Sequence, residues 1–186
     1  MRIGEERMRL RVSEILSLDG IMEAPDQWVF PYMDDHEIGE YVMSVLQETD
    51  AMLFGRKTYL EMAAAWPERS GAMADIFNGV PKYVVSTTLA ELPWNNSHLI
   101  TGNIVEEVAR LKAQPGRVLL INGSAELVHL LTQHHLIDEY ILTVAPLVLL
   151  KGKRLFQAGM EGQLLPLDSR VYKTGIIRLN YQPAGQ

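Results

Sequence analysis

Two hydrophobic rhythms alternate along this chain. Short, nearly unbroken apolar runs lie at 10–16, 51–54, 83–87, 98–100, 117–121 and 139–149. Runs of that length predict strands covered on both faces. Between them the period lengthens. Residues 34–48 carry Ile38, Val42 and Val45 on one stripe, with Asp34 and Glu37 placed to cap its start. Thr58 to Trp66 reads as a shorter helix stopped by Pro67. Asn103 to Lys112 is a third, ended by Pro115-Gly116, and Ser124 to His134 is a fourth. The tail, 170–182, alternates strictly. Ile177, Leu179 and Tyr181 fall on one side, which predicts antiparallel strands turning at Gly175.

Strands alternating with helices predict a three-layer α/β/α domain with a mostly parallel mixed central sheet and antiparallel C-terminal strands. No linker interrupts the pattern, so residues 8–186 read as one domain after a loose leader, 1–7. At 186 residues and 47% hydrophobic, the chain can bury a substantial core. The net charge of −6 and the lack of a basic stripe argue against nucleic acid and suit a cytoplasmic protein. The longest apolar run, 140–150, is too short for a bilayer and is broken by Pro146. The chain has no cysteine, which excludes disulfides, thiolate metal sites and cysteine nucleophiles. The five histidines show no spaced ligand motif, so no metal is expected.

Candidate chemistry clusters where predicted strands end. In "LFGRKTY", Leu53 to Tyr59, the spacing is wrong for a triphosphate loop, because Arg56 separates Gly55 from Lys57. Two readings remain. Gly55 permits close backbone approach and Thr58 can cap a helix whose amides face an anion, or the segment is a plain basic helix start. "LLINGSAEL", Leu119 to Leu127, places Asn122-Gly123 and Ser124 at a strand–turn–helix crevice, or at an ordinary turn. "YVVSTT" ends in the hydroxyls of Ser86, Thr87 and Thr88. "SLDGIMEAPD" sets Asp19 after the first strand, as a turn residue or a pocket acid, and opens a stretch long enough to form a lid.

The order of these segments carries more than each alone. "FGRKTY…WP", "YVVSTTL", "LLINGSAELVHLL", "IDEYILTVAPLVL" and "GKRLF", with "SLDGIM.APD" ahead of them, resemble the dihydrofolate-reductase-like superfamily. Within it they are most similar to the reductase domain at the C-terminus of the bacterial bifunctional deaminase–reductase of riboflavin biosynthesis. The resemblance spans about residues 8–182. It implies NADPH binding, with Gly55, Arg56, Lys57 and Thr58 beside the dinucleotide and Arg56 or Lys57 on its phosphates. Ser86 and Thr87 match the strand end that receives the adenosine 2′-phosphate. Gly123, Ser124 and Ala125 match the pyrophosphate turn, with Glu126 as a neighbour. Two positions depart from the family pattern: its paired glycine is Asn122-Gly123 here, and its "leucine-glycine-x-glycine" reads Leu149-Leu150-Lys151-Gly152.

The resemblance implies an oxidoreductase that moves a hydride from NADPH to a pteridine- or pyrimidine-like small molecule. Asp19 is the first candidate for the polar group at the substrate, and Glu37 and Glu40 are alternatives that also read as a cap partner and a solvated residue. A non-catalytic NADP(H)-binding module and a dimeric structural relic are the competing readings. Relatives of this kind are often homodimers, so a homodimer is expected.

Overall fold

The computed structural model describes residues 7–185. Eight strands form one sheet: β1 (Arg9–Ser17), β2 (Thr49–Gly55), β3 (Lys82–Val85), β4 (Ser97–Ile100), β5 (Val118–Ile121), β6 (Glu139–Ala145), β7 (Leu164–Val171) and β8 (Ile177–Pro183). Their order is β4-β3-β2-β5-β1-β6-β8-β7. All pairings from β4 through β6 are parallel, and β8 and β7 add antiparallel neighbours at one edge. Helices α1 (His36–Gln47), α2 (Arg56–Ala65) and α3 (Ala72–Gly79) cover one face; α4 (Ile104–Lys112) and α5 (Ala125–Gln133) cover the other. The three-layer α/β architecture read from the sequence is therefore the observed one.

The unbroken apolar runs are central strands for a physical reason. Every residue of β5 is buried, because both of its faces meet a helical layer. Leu10, Val12, Leu53, Leu119 and Ile121 pack against α4 and α5, while Met52, Phe54, Val118 and Leu120 pack against the α1–α3 layer. The 139–149 run stops as a strand at Ala145, since Pro146 has no amide to extend the ladder.

Several boundaries differ from expectation. The cap of α1 is Asp35, which accepts from the Glu37 amide, rather than Asp34. Helix α2 begins at Arg56 with Gly55 in the cap position, so Thr58 lies inside the helix and caps nothing. Helix α3 has no side-chain cap and follows Gly71 at φ 106°, so no start signal marked it in the sequence. Strand β3 ends before Ser86, and β7 begins at Leu164, earlier than the predicted tail. In β8 the polar residues are the deeper ones: Arg178 and Asn180 are buried, while Ile177, Leu179 and Tyr181 are half-buried. The Arg178 guanidinium sits 3.8 Å from the Tyr41 ring centroid and pairs with Asp168, and Asn180 donates to the Tyr41 hydroxyl at 2.9 Å. The expected leader lies outside the described residues except for Arg7, which bridges to Pro115.

Lys82 is an instructive buried charge. Its ammonium donates to the carbonyls of Val80, Asn78 and Asn95 at 2.8, 3.2 and 3.2 Å and lies 4.5 Å from the Trp94 ring centroid. It thereby satisfies the carbonyls at the end of α3 and ties them to the Trp94 loop. Lys82→Met keeps the volume but strands those carbonyls, so it is expected to cost about 2–4 kcal/mol in urea unfolding. A loss under about 0.5 kcal/mol would show that water replaces the ammonium without penalty.

Candidate functional site

Parallel strands deliver their carboxyl ends to one edge of the sheet, and there the chemistry gathers. Register places the ends side by side. Gly55 of β2 is level with Val85 of β3, so Ser86 and Thr87 are the next residues out. Leu53 is level with Ile121, and Val12 of β1 is level with the same residue, so Asn122, Gly123 and Ser124 emerge between β2 and β1. Ligand crevices of open α/β sheets form at such edges.

The β2 and β5 turns interlock there. A Cβ added to Gly55 would lie 2.5 Å from Ser124 Oγ, and one added to Gly123 would lie 2.7 Å from Thr58 Oγ1. Gly123 also holds φ at +71°, in the region that favours glycine, and the Gly123–Ser124 peptide is cis. Asn122 is absent from the left-handed residues, so the turn rests on Gly123. Neither Gly55 nor Ser124 makes a side-chain cap bond, so no cap side chain covers the first amides of α2 and α5 at the same edge. Two adjacent helix N-termini with close-approach glycines form a cradle for anionic oxygens.

The flanking residues complete that cradle unevenly. Arg56 is exposed and no carboxylate among the described residues pairs with it. Lys57 is exposed and lies 4.0 Å from Glu61 on the next turn. Ser86 is buried, and its oxygen accepts from the amides of Thr88 and Leu89 at 3.1 Å each, so it holds its own turn. Thr87 is exposed beside it. Ala125 is buried under the start of α5, and Glu126 on the same turn pairs with Lys153. The Lys153 amide donates to Glu23 at 3.2 Å, so this pair fastens the 147–155 loop across the α5 N-terminus. Asn122 Oδ1 is buried with no hydrogen-bond partner among the described residues, an acceptor available to a donor on a ligand.

The candidate acids fall elsewhere than a proton donor requires. Asp19 accepts from the Ser17 hydroxyl at 2.7 Å and from the Leu149 and Leu150 amides at 3.0 and 2.9 Å. Its backbone carbonyl takes Arg154. The Leu149 amide, the Ser17 hydroxyl and the Leu150 amide pull its pKa down to about 2, so it is an anion at neutral pH. The geometry is that of a latch between the β1 and β6 ends. Leu150, where the family pattern has glycine, stands at φ +64° within that latch. Glu37 is exposed and paired with Arg170, and Glu40 is exposed with His36 at 3.6 Å. The structure brings neither to the interlocked turns.

One acid was missed in the sequence. Glu14 shares its face of β1 with Leu10, Val12 and Leu16, is buried, and accepts from the Gly123 amide. Its signal was a charge breaking a period-two apolar row. On the opposite face, Ser13 and Ile15 remain half-buried, as does Thr143, the register partner of Ile15. The α1–α3 layer thus leaves this strip of the sheet only partly covered. Among the described residues no cluster of His, Asp or Glu forms a metal site, and no helix is long and apolar enough to cross a membrane.

The interlock gives a test by coupled substitution. Gly123→Ala is expected to cost about 2–4 kcal/mol, from the left-handed backbone plus the contact with Thr58. Adding Thr58→Ala should restore about 1 kcal/mol or more, because it removes the atom that the new Cβ meets. Strict additivity of the two changes in thermal unfolding would mean that the turns do not touch in solution.

Comparison with known proteins agrees with the fold. The chain is 27% identical over 183 residues to the uncharacterized protein YyaP of Bacillus subtilis, covering 95% of each chain. Its structure is similar to that of a putative riboflavin biosynthesis protein from Shewanella sp. PV-4, with TM-score 0.77, 21% identity and coverage of 95% of this chain and 99% of that one. It is also similar to dihydrofolate reductase from Enterococcus faecalis, solved with NADP(H), with TM-score 0.63, 11% identity and coverage of 95% and 96%. The family model of the RibD C-terminal domain matches residues 9–177, nearly the whole described chain, and this protein belongs to that family.

Proposed function

We propose that the protein is an NADPH-dependent reductase acting on a pteridine- or pyrimidine-like small molecule, of the kind reduced in riboflavin or folate metabolism. The observation that carries the reading is the cradle made by Gly55 and Gly123 at two helix N-termini that lack a side-chain cap, with Arg56 beside it and in no ion pair among the described residues. The amides opening α2 and α5 would hold the pyrophosphate, and Arg56 and Thr87 would read the 2′-phosphate. When bound, the nicotinamide supplies a hydride. The chain's part is to hold the two rings in register, with Asn122 Oδ1 taking a donor and the strip at Ser13, Ile15 and Thr143 receiving the acceptor molecule.

A second reading has one observation in its favour. Asp19, Glu37 and Glu40 all have partners already, so none of these three carboxylates is free to serve the cradle. A module that binds the dinucleotide without turnover fits that arrangement. Turnover assays with folate, pterin and ribosylaminopyrimidine substrates separate the two readings.

The second edge of the sheet supports a homodimer. Strand β7 is exposed along most of its length and presents Leu167 and Val171, 50% and 71% exposed. Exposed apolar side chains on an edge strand are a pairing surface even where Pro166, Asp168 and Arg170 interrupt them, and a second copy of the same strand can cover them. Sedimentation at increasing concentration should show a dimer that Leu167→Lys dissociates. A monomer at every concentration would remove this assignment.

The cofactor reading predicts that NADPH raises the melting temperature, since binding to the native state alone must stabilise it. Arg56→Ala should weaken NADPH about tenfold and NADH little, because only NADPH carries the 2′-phosphate. Equal losses would show that Arg56 does not read that group. No thermal shift at saturating NADPH would leave the structural relic.

A further inference from the structure

Glu14 is the one acid that contacts the cradle from beneath. Its carboxyl lies in the apolar layer under the start of α5, and its described partner is the amide of Gly123, the residue that fixes the turn. Its register partner in β6 is Leu142, also buried. Among the described residues no counter-charge pairs with it. On its own strand Arg11 points to the opposite face, where it pairs with Glu48 and Glu139. On α5, Glu126 is exposed and paired with Lys153, and His129 Nδ1 is buried with no hydrogen-bond partner among the described residues. On β6, the Tyr140 hydroxyl is bonded to Thr132. Arg56 and Lys57 open α2 on the exposed side of the turn. A lone carboxylate in such surroundings is costly, whereas a carboxylic acid accepts the Gly123 amide through its carbonyl oxygen at no charge cost.

We propose that Glu14 is the positioning residue of the dinucleotide turn, that it works as a neutral acid, and that NADPH binding is coupled to uptake of one proton by Glu14. This inference rests on the reading of the two turns as a phosphate site. Phosphates seated above Gly123 repel an ionised Glu14 below it, so the cofactor favours the protonated form, and protonation favours the cofactor by the same factor. Burial, offset in part by the Gly123 amide, already pushes the acid up to about 8 in the free protein, so the coupling acts just above neutrality. For folding the sign is the same. The stability that neutral Glu14 provides is complete below its unfolded value of 4.5 and is lost as pH rises to about 8.

Calorimetric titration of the whole chain with NADPH, in buffers of different ionisation heat, tests the coupling. The dissociation constant is expected to rise about tenfold between pH 7 and 9, with net proton uptake over that range. Glu14→Gln keeps an acceptor for the Gly123 amide, and should bind NADPH at pH 7 within about threefold of the parent while losing both the slope and the uptake. NADPH binding that is flat across this range, or a slope that survives in Glu14→Gln, would overturn the proposal. If the variant does not fold, carbon NMR of the glutamate carboxyls in the parent decides. One resonance should titrate near 8 and move upward with NADPH, and a Glu14 resonance near the ordinary value overturns the idea. Failure of NADPH to bind at any pH is a different result, and removes the phosphate-site reading together with this one.

Discussion

Gly123 is the point on which this structure turns. Three elements meet at a residue with no side chain: Thr58 of α2 packs where its Cβ would be, Glu14 of β1 takes its amide, and its left-handed backbone sends the chain into α5. Each contact depends on the register of the parallel ladder. Were β5 shifted by one residue against β1, Glu14 would face a side chain from the opposite layer instead of that amide. The local turn and the global sheet therefore specify one another. The reciprocal contact, Gly55 against Ser124, closes the same joint from the other side.

The joint also explains why the cap positions of α2 and α5 are unusual. A helix start normally recruits a Ser, Thr, Asp or Asn side chain to its free amides. Here α1 and α4 do so through Asp35 and Asn103, while the two helices at the joint do not. Ser124 has the right chemistry, but its hydroxyl points at Gly55. Helix N-termini without a cap cost stability, and those of α2 and α5 lie together at the edge where an anion would satisfy them.

Much of this was legible in the sequence, and the exceptions share causes. The apolar runs and helical stripes located most elements because both faces of the sheet are covered, so burial follows composition. Helix α3 escaped because nothing local starts it: its position comes from Lys82 and Trp94 closing over its last carbonyls, a tertiary contact. The deep face of β8 escaped because Arg178 and Asn180 look like solvent-facing residues until Tyr41 and Asp168 are placed against them. At the site, Gly55, Gly123 and Arg56 could be named because strand-to-helix junctions are local motifs. Glu14 could not, because its meaning depends on a partner more than a hundred positions away.

Asp19 was expected as the polar group at the substrate, and the structure gives it a different task. The family pattern puts glycine where this chain has Leu150, and a left-handed leucine carries a penalty of about 1–2 kcal/mol. The Leu150 amide donates to Asp19, and the Leu149 amide donates to the other carboxylate oxygen, so two charge-assisted bonds hold the backbone in that conformation. Those bonds favour the anion, which is why the pKa falls to about 2. A group so strongly stabilised as a carboxylate cannot deliver a proton near neutral pH. The substitution of glycine by leucine and the fixing of Asp19 as an anion are thus one structural event. Asp19 holds the end of β1 to the 149–150 backbone as an anion and is not a proton donor at this edge.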